Sequence, residues 1–169
     1  MAAGSMTRRR AVTPMGVLAG LAGGLAGAWA MNRFQSLLTR AFGGPSNGRS
    51  EDEDATERLA QSIAAHTIAR PLSKDELDAA GPVVHYAYGT VMGGLYGAVA
   101  EQFDTVSPLG GATYGALLWA AGDEVAVPLF GLSRSSTEFS FGTHVQALAA
   151  HLVYGVTADL VRRGILAAV

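Results

Sequence analysis

Four stretches of this chain contain no Lys, Arg, Asp or Glu, and they cover residues 11–32, 81–100, 105–122 and 139–158. An α-helix rises about 1.5 Å per residue, so roughly 20 apolar residues cross a hydrocarbon core about 30 Å thick. Each stretch has about this length. The pattern therefore predicts an all-α polytopic membrane protein, built as a bundle of four transmembrane helices.

A chain of 169 residues is expected to form one domain. The charge-free stretches and the breakers around them predict a single membrane domain over residues 1–169 with a partly helical extramembrane linker. The predicted spans are about 11–32, 82–100, 107–128 and 142–161, and the linker is 33–81.

Local signals subdivide the linker. Residues 43–54 combine Gly, Pro, Asn and a run of acids, which predicts a loop, and residues 55–70 follow as an amphipathic helix. Ser73 and Glu76 have the spacing of a capping box, which predicts a short helix ending at Gly81. Pro82 would then open the second span.

Similar signals delimit the last span. Thr143 and Gln146 also have capping-box spacing, which predicts that the helix begins there. Arg162 and Arg163 are predicted to close it, because cations favour a helix C-terminus.

Composition narrows the possible partners. Net charge is −2, which argues against a nucleic-acid binder, since such a protein needs a basic face. The chain has no cysteine, which excludes disulfides and thiolate chemistry. It has 22 glycines, many of them inside the apolar stretches, where close backbone approach lets membrane helices associate. The expected partners are the lipid bilayer and either a second copy or another membrane protein.

The first apolar stretch allows two interpretations. Three arginines at residues 8–10 precede it, and Ala28-Trp29-Ala30 resembles a signal-peptidase site, so the stretch has the parts of a cleaved signal peptide, with a hint of a twin-arginine signal. A retained helix instead explains why Gly16, Gly20 and Gly24 recur every four residues. The amphipathic pattern also continues beyond Ala30, which favours retention.

The second and fourth spans share the pattern H-x-x-Y-G, beginning at His85 and at His151. His and the Gly four residues later lie on one helix face, where a neighbouring backbone can approach. Gly89, Gly93 and Gly97 extend this face along the second span and are predicted packing positions. A duplicated hairpin is the alternative explanation of the repeat.

Alternation of the spans brings ionisable residues to one membrane side. The start of span two carries His85, the end of span three Asp123 and Glu124, and the start of span four His144. Imidazole titrates near pH ~6.5, so this rim is a candidate proton-responsive site, and the alternative is that these groups are merely solvated at helix ends. His151 lies about 12 Å below Thr143 along the helix, and it is either a further proton-responsive candidate or a helix-packing hydrogen bond.

Orientation follows from the arginines. Those at residues 8–10 and 162–163 place both termini in the cytoplasm, although the basic residues of the long linker oppose this assignment.

Recognisable catalytic and metal motifs are absent from the sequence. No H-E-x-x-H, P-loop or G-x-S-x-G occurs. His144 and His151 are about 10.5 Å apart along a helix, too far to share one metal ion. We therefore predict a non-enzymatic protein without a catalytic, metal or cofactor site.

Three segments resemble the YagU-like family, a poorly characterised group of small four-span bacterial inner-membrane proteins. They are the first span GVLAGLAGGLAGAWAMN, the run AAGPVVHYAYGTVMGGLYGAVAE and the closing HLVYGVTADLVRR. The resemblance implies a multi-pass protein of the bacterial inner membrane and, from one member, a role in acid tolerance.

The leading functional hypothesis is a non-enzymatic inner-membrane protein of envelope or acid-stress physiology with a proton-responsive His/carboxylate rim. A small oligomeric transporter or channel is the first alternative. A membrane-embedded metal-dependent enzyme is the second.

Overall fold

The computed structural model describes residues 12–42, 51–102 and 109–169, with side chains in the second range from residue 55 onward. All regular structure in these ranges is helical, which confirms the predicted all-α class. The elements, in chain order, are α1 (Pro14–Phe42), α2 (Glu51–Thr67), α3 (Lys74–Ala100), α4 (Gly110–Ala121), a π-helical turn (Gly122–Ala126), α5 (Val127–Leu129), a 3-10 turn (Ser136–Glu138) and α6 (Phe141–Ala168).

Four of these helices form an antiparallel bundle. α1 packs against α3 and α6, and α4 packs against the other side of α6. The space between α3 and α4 is bridged by tyrosines, since the Tyr114 hydroxyl donates to the Met92 carbonyl at 2.7 Å. Successive members of the bundle run in opposite directions, so the end of α1, the start of α3, the end of α4 and the start of α6 lie together at one end.

Small residues hold the bundle together. A Cβ atom at Gly24 of α1 would lie 2.8 Å from the Cα atom of Gly93 of α3, and one at Gly27 would lie 2.7 Å from the Tyr154 carbonyl oxygen of α6. Side chains at such positions would force the helices apart, so glycine is what permits the backbone contact.

Small residues predominate inside the bundle, and many large apolar side chains lie on its surface. The buried core contains mainly Ala and Gly, and a central cluster of Ala28, Met31, Ala150 and Tyr154. Large apolar side chains lie on the outside instead. Among the exposed ones are Leu18, Leu25, Trp29, Val91, Leu95, Val99, Leu117, Leu129, Phe130, Val145, Val156 and Leu160. Backbone proximity, rather than burial of large side chains, holds these helices together.

Within the described part of the chain, one helix, α1, is both long enough and apolar enough to cross a membrane. A buried helix of a soluble protein and a signal sequence can share this composition. The finding is consistent with association with a membrane. In α3 and α6, His, Tyr and Gly residues stand among the apolar residues and lower the mean hydropathy of these two helices.

The predicted capping box is confirmed, but the predicted end of its helix is wrong. The Ser73 side chain accepts from the Glu76 backbone N–H, and the Glu76 side chain accepts from the Ser73 N–H. The helix that begins here runs through Gly81 and Pro82 to Ala100 without a break. Pro82 removes one backbone donor, and α2 packs against α3 on both sides of this position.

Other boundaries differ as well. Residues 51–54, predicted as loop, open α2, while the rest of that loop, 43–50, lies outside the described residues. α1 extends to Phe42, well into the predicted linker. α6 is capped by Ser140, whose side chain accepts from the Thr143 N–H, so Thr143 is not the cap. The helix continues past Arg163 to Ala168, which means that the two arginines do not close it.

The link between α2 and α3 is held by polar contacts. Arg70 forms two hydrogen bonds to the Glu76 carboxylate, at 2.9 and 2.6 Å. The Gln61 side-chain oxygen accepts from the Leu72 N–H at 3.0 Å. This corner positions α2 against the first turns of α3.

Candidate functional site

A π-helical turn at the end of α4 shapes the first polar cluster. In this turn the Val127 N–H donates to the Gly122 carbonyl. Pro128 has no N–H with which to reach the Glu124 carbonyl four residues earlier, and the Ser136 hydroxyl donates to that oxygen instead, at 2.9 Å. The widened turn directs the consecutive acids Asp123 and Glu124 toward α6. Turns of this kind are often found at functional sites.

His144 is held between two acceptors. Its Nδ1 atom lies 2.6 Å from Glu124 Oε1, and its Nε2 atom lies 3.0 Å from the Ser136 carbonyl oxygen. Neutral imidazole carries one N–H, whereas imidazolium carries two. When Glu124 is a carboxylate, imidazolium is the one form of His144 that donates to both oxygens, so the geometry suits an imidazolium–carboxylate pair.

His151 lies two turns deeper and is 6% exposed. Its Nδ1 atom is 3.0 Å from the Ala147 carbonyl oxygen and 3.5 Å from Asp123 Oδ2. A proton on Nδ1 therefore faces both oxygens. The cluster thus consists of two His–carboxylate pairs at different depths, one near the helix ends and one inside the bundle.

The structure brings together Asp123, Glu124, His144 and His151, and leaves His85 apart. The His85 ring packs edge-on against Tyr86, with centroids 5.6 Å apart. Its Nε2 atom is buried and has no hydrogen-bond partner among the described residues. Its position on the same end of the bundle agrees with the alternation of the helices, but among the described residues no hydrogen bond or ion pair joins it to the two pairs.

A second polar cluster, at the opposite end of the bundle, was missed by the sequence reasoning. The Tyr96 hydroxyl donates to Asp159 Oδ1 at 2.8 Å, and Arg163 Nε lies 2.8 Å from Asp159 Oδ2. Asp159 is 5% exposed and Arg162, beside it, is 7% exposed. One signal in the sequence could have found this cluster. The residues after Arg163, GILAAV, allow α6 to continue, so that Asp159 and Arg162 lie inside the bundle.

Tyrosines separate the two clusters. The Tyr154 hydroxyl donates to the Gly89 carbonyl at 2.6 Å, and the Tyr114 hydroxyl donates to the Met92 carbonyl at 2.7 Å. Both protons are thereby committed to backbone oxygens, so this layer presents no chain of side-chain hydrogen bonds between the clusters.

The two glycine series singled out in the sequence face each other across α1 and α3. Gly16 lies against the Glu101 side chain and Gly97, Gly20 against Gly93 and Gly97, and Gly24 against Gly89 and Gly93. Further close contacts were missed. They are Gly23 with Ala158 and Gly27 with Tyr154 between α1 and α6, and Gly111 with Gly155 and Gly115 with His151 between α4 and α6. The H-x-x-Y-G repeat thus serves different contacts in α3 and α6.

No group of three or more His, Cys, Asp or Glu side chains among the described residues is arranged to hold a metal ion.

These features define the chain as a glycine-packed helical bundle with a polar cluster at each end. A family model described as "Protein of unknown function (DUF1440)" matches residues 48–160, more than half of the chain, and the chain belongs to this family. The match includes both His–carboxylate pairs and Asp159, while α1 and Arg162 lie outside it. No curated protein and no solved structure matches the chain.

Proposed function

We propose that this protein is a non-enzymatic, multi-pass protein of the bacterial inner membrane that responds to protons through the His144–Glu124 pair. The proposal rests on the position of the His144 ring, which has a carboxylate oxygen near one nitrogen and a carbonyl oxygen near the other. The resemblance to the YagU-like family supports a role in envelope or acid-stress physiology.

The surface of the bundle supports the membrane part of the proposal. In water, exposing this many large apolar side chains would be costly, whereas in lipid they face a solvent as apolar as themselves. Small residues at helix interfaces are the usual means of association in membranes. The proposed spans lie within α1, within α3 from residue 82 onward, within α4 together with the π-helical turn and α5, and within α6, with both termini in the cytoplasm.

The contacts of α1 support its retention. Gly20 and Gly24 pack on α3, and Gly23 and Gly27 pack on α6. Cleavage after Ala30 would remove the part of α1 that makes these contacts and would expose both partners.

The loop between α5 and α6 supplies the response. Ser136 is tied to the site twice, by its carbonyl oxygen facing His144 and by its hydroxyl donating to the Glu124 carbonyl. Loss of the proton from imidazolium removes one N–H, so one of the two contacts of His144 is lost. The loop is therefore the element whose mobility depends on the protonation of the pair.

The test uses the absence of cysteine from the chain. A spin label on Ser133→Cys, in the full-length protein in lipid vesicles, reports loop mobility by electron paramagnetic resonance between about pH 5 and 8, the range in which His changes charge. We expect mobility to rise with pH, and Glu124→Gln to abolish this dependence.

The matched control is Glu138→Gln, an exposed carboxylate of the same loop, which should preserve the pH dependence. A profile that is flat in the parent protein, or unchanged by Glu124→Gln, contradicts the proposal.

A small oligomeric transporter is the second candidate, favoured by the buried charges Asp159 and Arg162 at the far end. Its test is proton flux in proteoliposomes. The transporter requires flux that His151→Ala abolishes, whereas the leading proposal expects none, because the tyrosine layer donates to backbone oxygens.

A further inference from the structure

We propose that Arg162 binds a phosphate group at the end of the bundle opposite the His144–Glu124 pair. Arg162 is 7% exposed, and its guanidinium carbon lies 5.9 Å from the centroid of the Tyr96 ring. Its Nε atom is buried and has no hydrogen-bond partner within the described parts of the chain. An arginine stays protonated in a protein, so a buried guanidinium requires an acceptor from elsewhere.

The nearest carboxylate is already engaged. Asp159 accepts the Tyr96 hydroxyl at Oδ1 and faces Arg163 at Oδ2, both at 2.8 Å. One negative charge therefore stands beside two arginines. Asp159 and Arg163 balance each other, which leaves Arg162 as the cation in excess.

The other described carboxylate at this end is engaged as well. Glu101, which caps α3, accepts the backbone N–H and the hydroxyl of Thr13, each at 2.6 Å. Both of its oxygens serve the start of α1. A pairing with Arg162 would break these bonds.

The N-terminus of α4 adds backbone donors to the same region. Its cap, Leu109, provides no side-chain hydrogen bond, and its first turn contains no acidic residue. Gly111 lies in that turn, and a Cβ atom there would be 2.7 Å from Asp159 Cβ. The backbone N–H groups at a helix N-terminus favour an anion. Asp159 therefore lies beside the start of α4 and bonds Tyr96, over whose ring the guanidinium lies, which places Arg162 and this helix end at the same end of the bundle.

A phosphate suits this pair of donors. The planar guanidinium can form two parallel hydrogen bonds to phosphate oxygens, which makes arginine the preferred residue for such anions. In the proposed orientation this end faces the cytoplasmic leaflet, where basic pockets between helices bind anionic lipid headgroups. A lipid headgroup and free phosphate share this chemistry, and the experiment separates them.

The experiment is native mass spectrometry of the full-length protein in detergent, titrated with phosphatidylglycerol or with diacylglycerol of the same acyl chains. We expect phosphatidylglycerol to be retained and diacylglycerol not. Arg162→Gln should weaken retention roughly tenfold or more, as expected for loss of a charged hydrogen bond. Arg162→Lys keeps the charge and controls for misfolding caused by its loss. Its retention of phosphatidylglycerol should lie between those of the parent protein and Arg162→Gln. If inorganic phosphate competes with phosphatidylglycerol, the site binds a free anion. If it does not compete, the site binds the lipid headgroup.

The matched control is Arg33→Gln, which removes an exposed arginine at the opposite end of the bundle and should leave retention unchanged. Equal retention of diacylglycerol, an equal loss in Arg33→Gln, or no loss in both Arg162 variants overturns the proposal. Greater retention of phosphatidylglycerol in Asp104→Asn also overturns the proposal, because Asp104 would then be the partner of Arg162. Asp104 lies outside the described ranges. The inference does not use the His144–Glu124 pair, so either proposal can fail alone.

Discussion

Gly24 of α1 and Gly93 of α3 pack backbone against backbone, because a Cβ atom on Gly93 would lie 2.6 Å from the backbone nitrogen of Gly24. The same added atom would also meet the carbonyl oxygen of Gly20. Neither obstacle is a flexible side chain, so a larger residue can be accommodated only by separating the two helices.

Gly93→Ala should therefore destabilise the bundle by about 1–3 kcal/mol, the usual cost of overpacking. The matched control is Gly164→Ala, since a Cβ atom there meets nothing within 4 Å. That change should raise stability by up to about 1 kcal/mol through helix propensity. Denaturant unfolding in detergent measures both, and equal effects would contradict the close contact of α1 and α3.

Tyr96→Phe should lower the free energy of unfolding by about 1.5–3 kcal/mol, the range for a hydrogen bond to a charged group, because it removes the 2.8 Å bond to Asp159. Tyr86→Phe is the control. Its hydroxyl lies 3.4 Å from the Asn32 amide nitrogen, a longer contact between neutral groups, so a smaller loss is expected. Unfolding by denaturant compares the two, and a larger loss for Tyr86→Phe would argue against the second cluster.

The corner between α2 and α3 should weaken in acid. The hydrogen bond from Arg70, followed by those from the Ser73 backbone and side chain, lowers the pKa of Glu76 from 4.5 to about 2. A carboxylate whose pKa is lower in the folded state stabilises it fully above the unfolded value, and this contribution is lost as pH falls from about 4.5 toward 2.

A ¹³C NMR titration of the Glu76 carboxyl measures this directly. Arg70→Gln should shift the midpoint back toward 4.5. Lys74→Gln, which removes the neighbouring 2.7 Å pair with Asp78, should leave it in place. An ordinary midpoint in the parent protein would show that the Arg70 pair does not persist in solution.

The mature protein should retain α1. Its intact mass should include the residues of α1. Helix α1 supplies the central surface on which α3 and α6 pack, which is the physical reason to keep it. A mass that corresponds to a chain beginning at Met31 would support the signal-peptide interpretation instead.

Single cysteines should map the two ends of the bundle to opposite sides of a membrane. Ser135 lies exposed between α5 and α6, and Ala167 lies exposed at the end of α6. In right-side-out vesicles, an impermeant maleimide should label Ser135→Cys and spare Ala167→Cys until the membrane is opened. Equal labelling of both, or extraction of the protein by carbonate, would refute the multi-pass proposal.

Much of the packing could be predicted from spacing alone. Glycines every four residues form one helix face, and Gly16, Gly20 and Gly24 lie against residues of α3. Gly23 and Gly27 share the same small-residue run, and nothing local says that a second helix covers their face. Which partner a face meets is a property of the whole bundle.

Boundaries and buried charges were harder to predict. Pro82 and the arginines at 162 and 163 normally mark helix ends, and here packing carries both helices past them. Asp159 was overlooked because its partner, Tyr96, is 63 positions away in sequence. The approach of Asp123 to His151 depends on the π-helical turn, which hydrophobic periodicity does not reveal.

The π-helical turn sets the rotational position of the candidate-site residues about the helix axis. A π-helical turn accommodates one residue more than an α-helical turn, so the contact between Glu124 and His144 depends on the number of residues before Pro128 as well as on their identity. Shortening the chain there by one, for example by omitting Val125, would close the wide turn to an ordinary α-helical one and remove the offset that it gives to Asp123 and Glu124. Every side chain of the cluster would still be present, yet the two rows of donors and acceptors would no longer be in register.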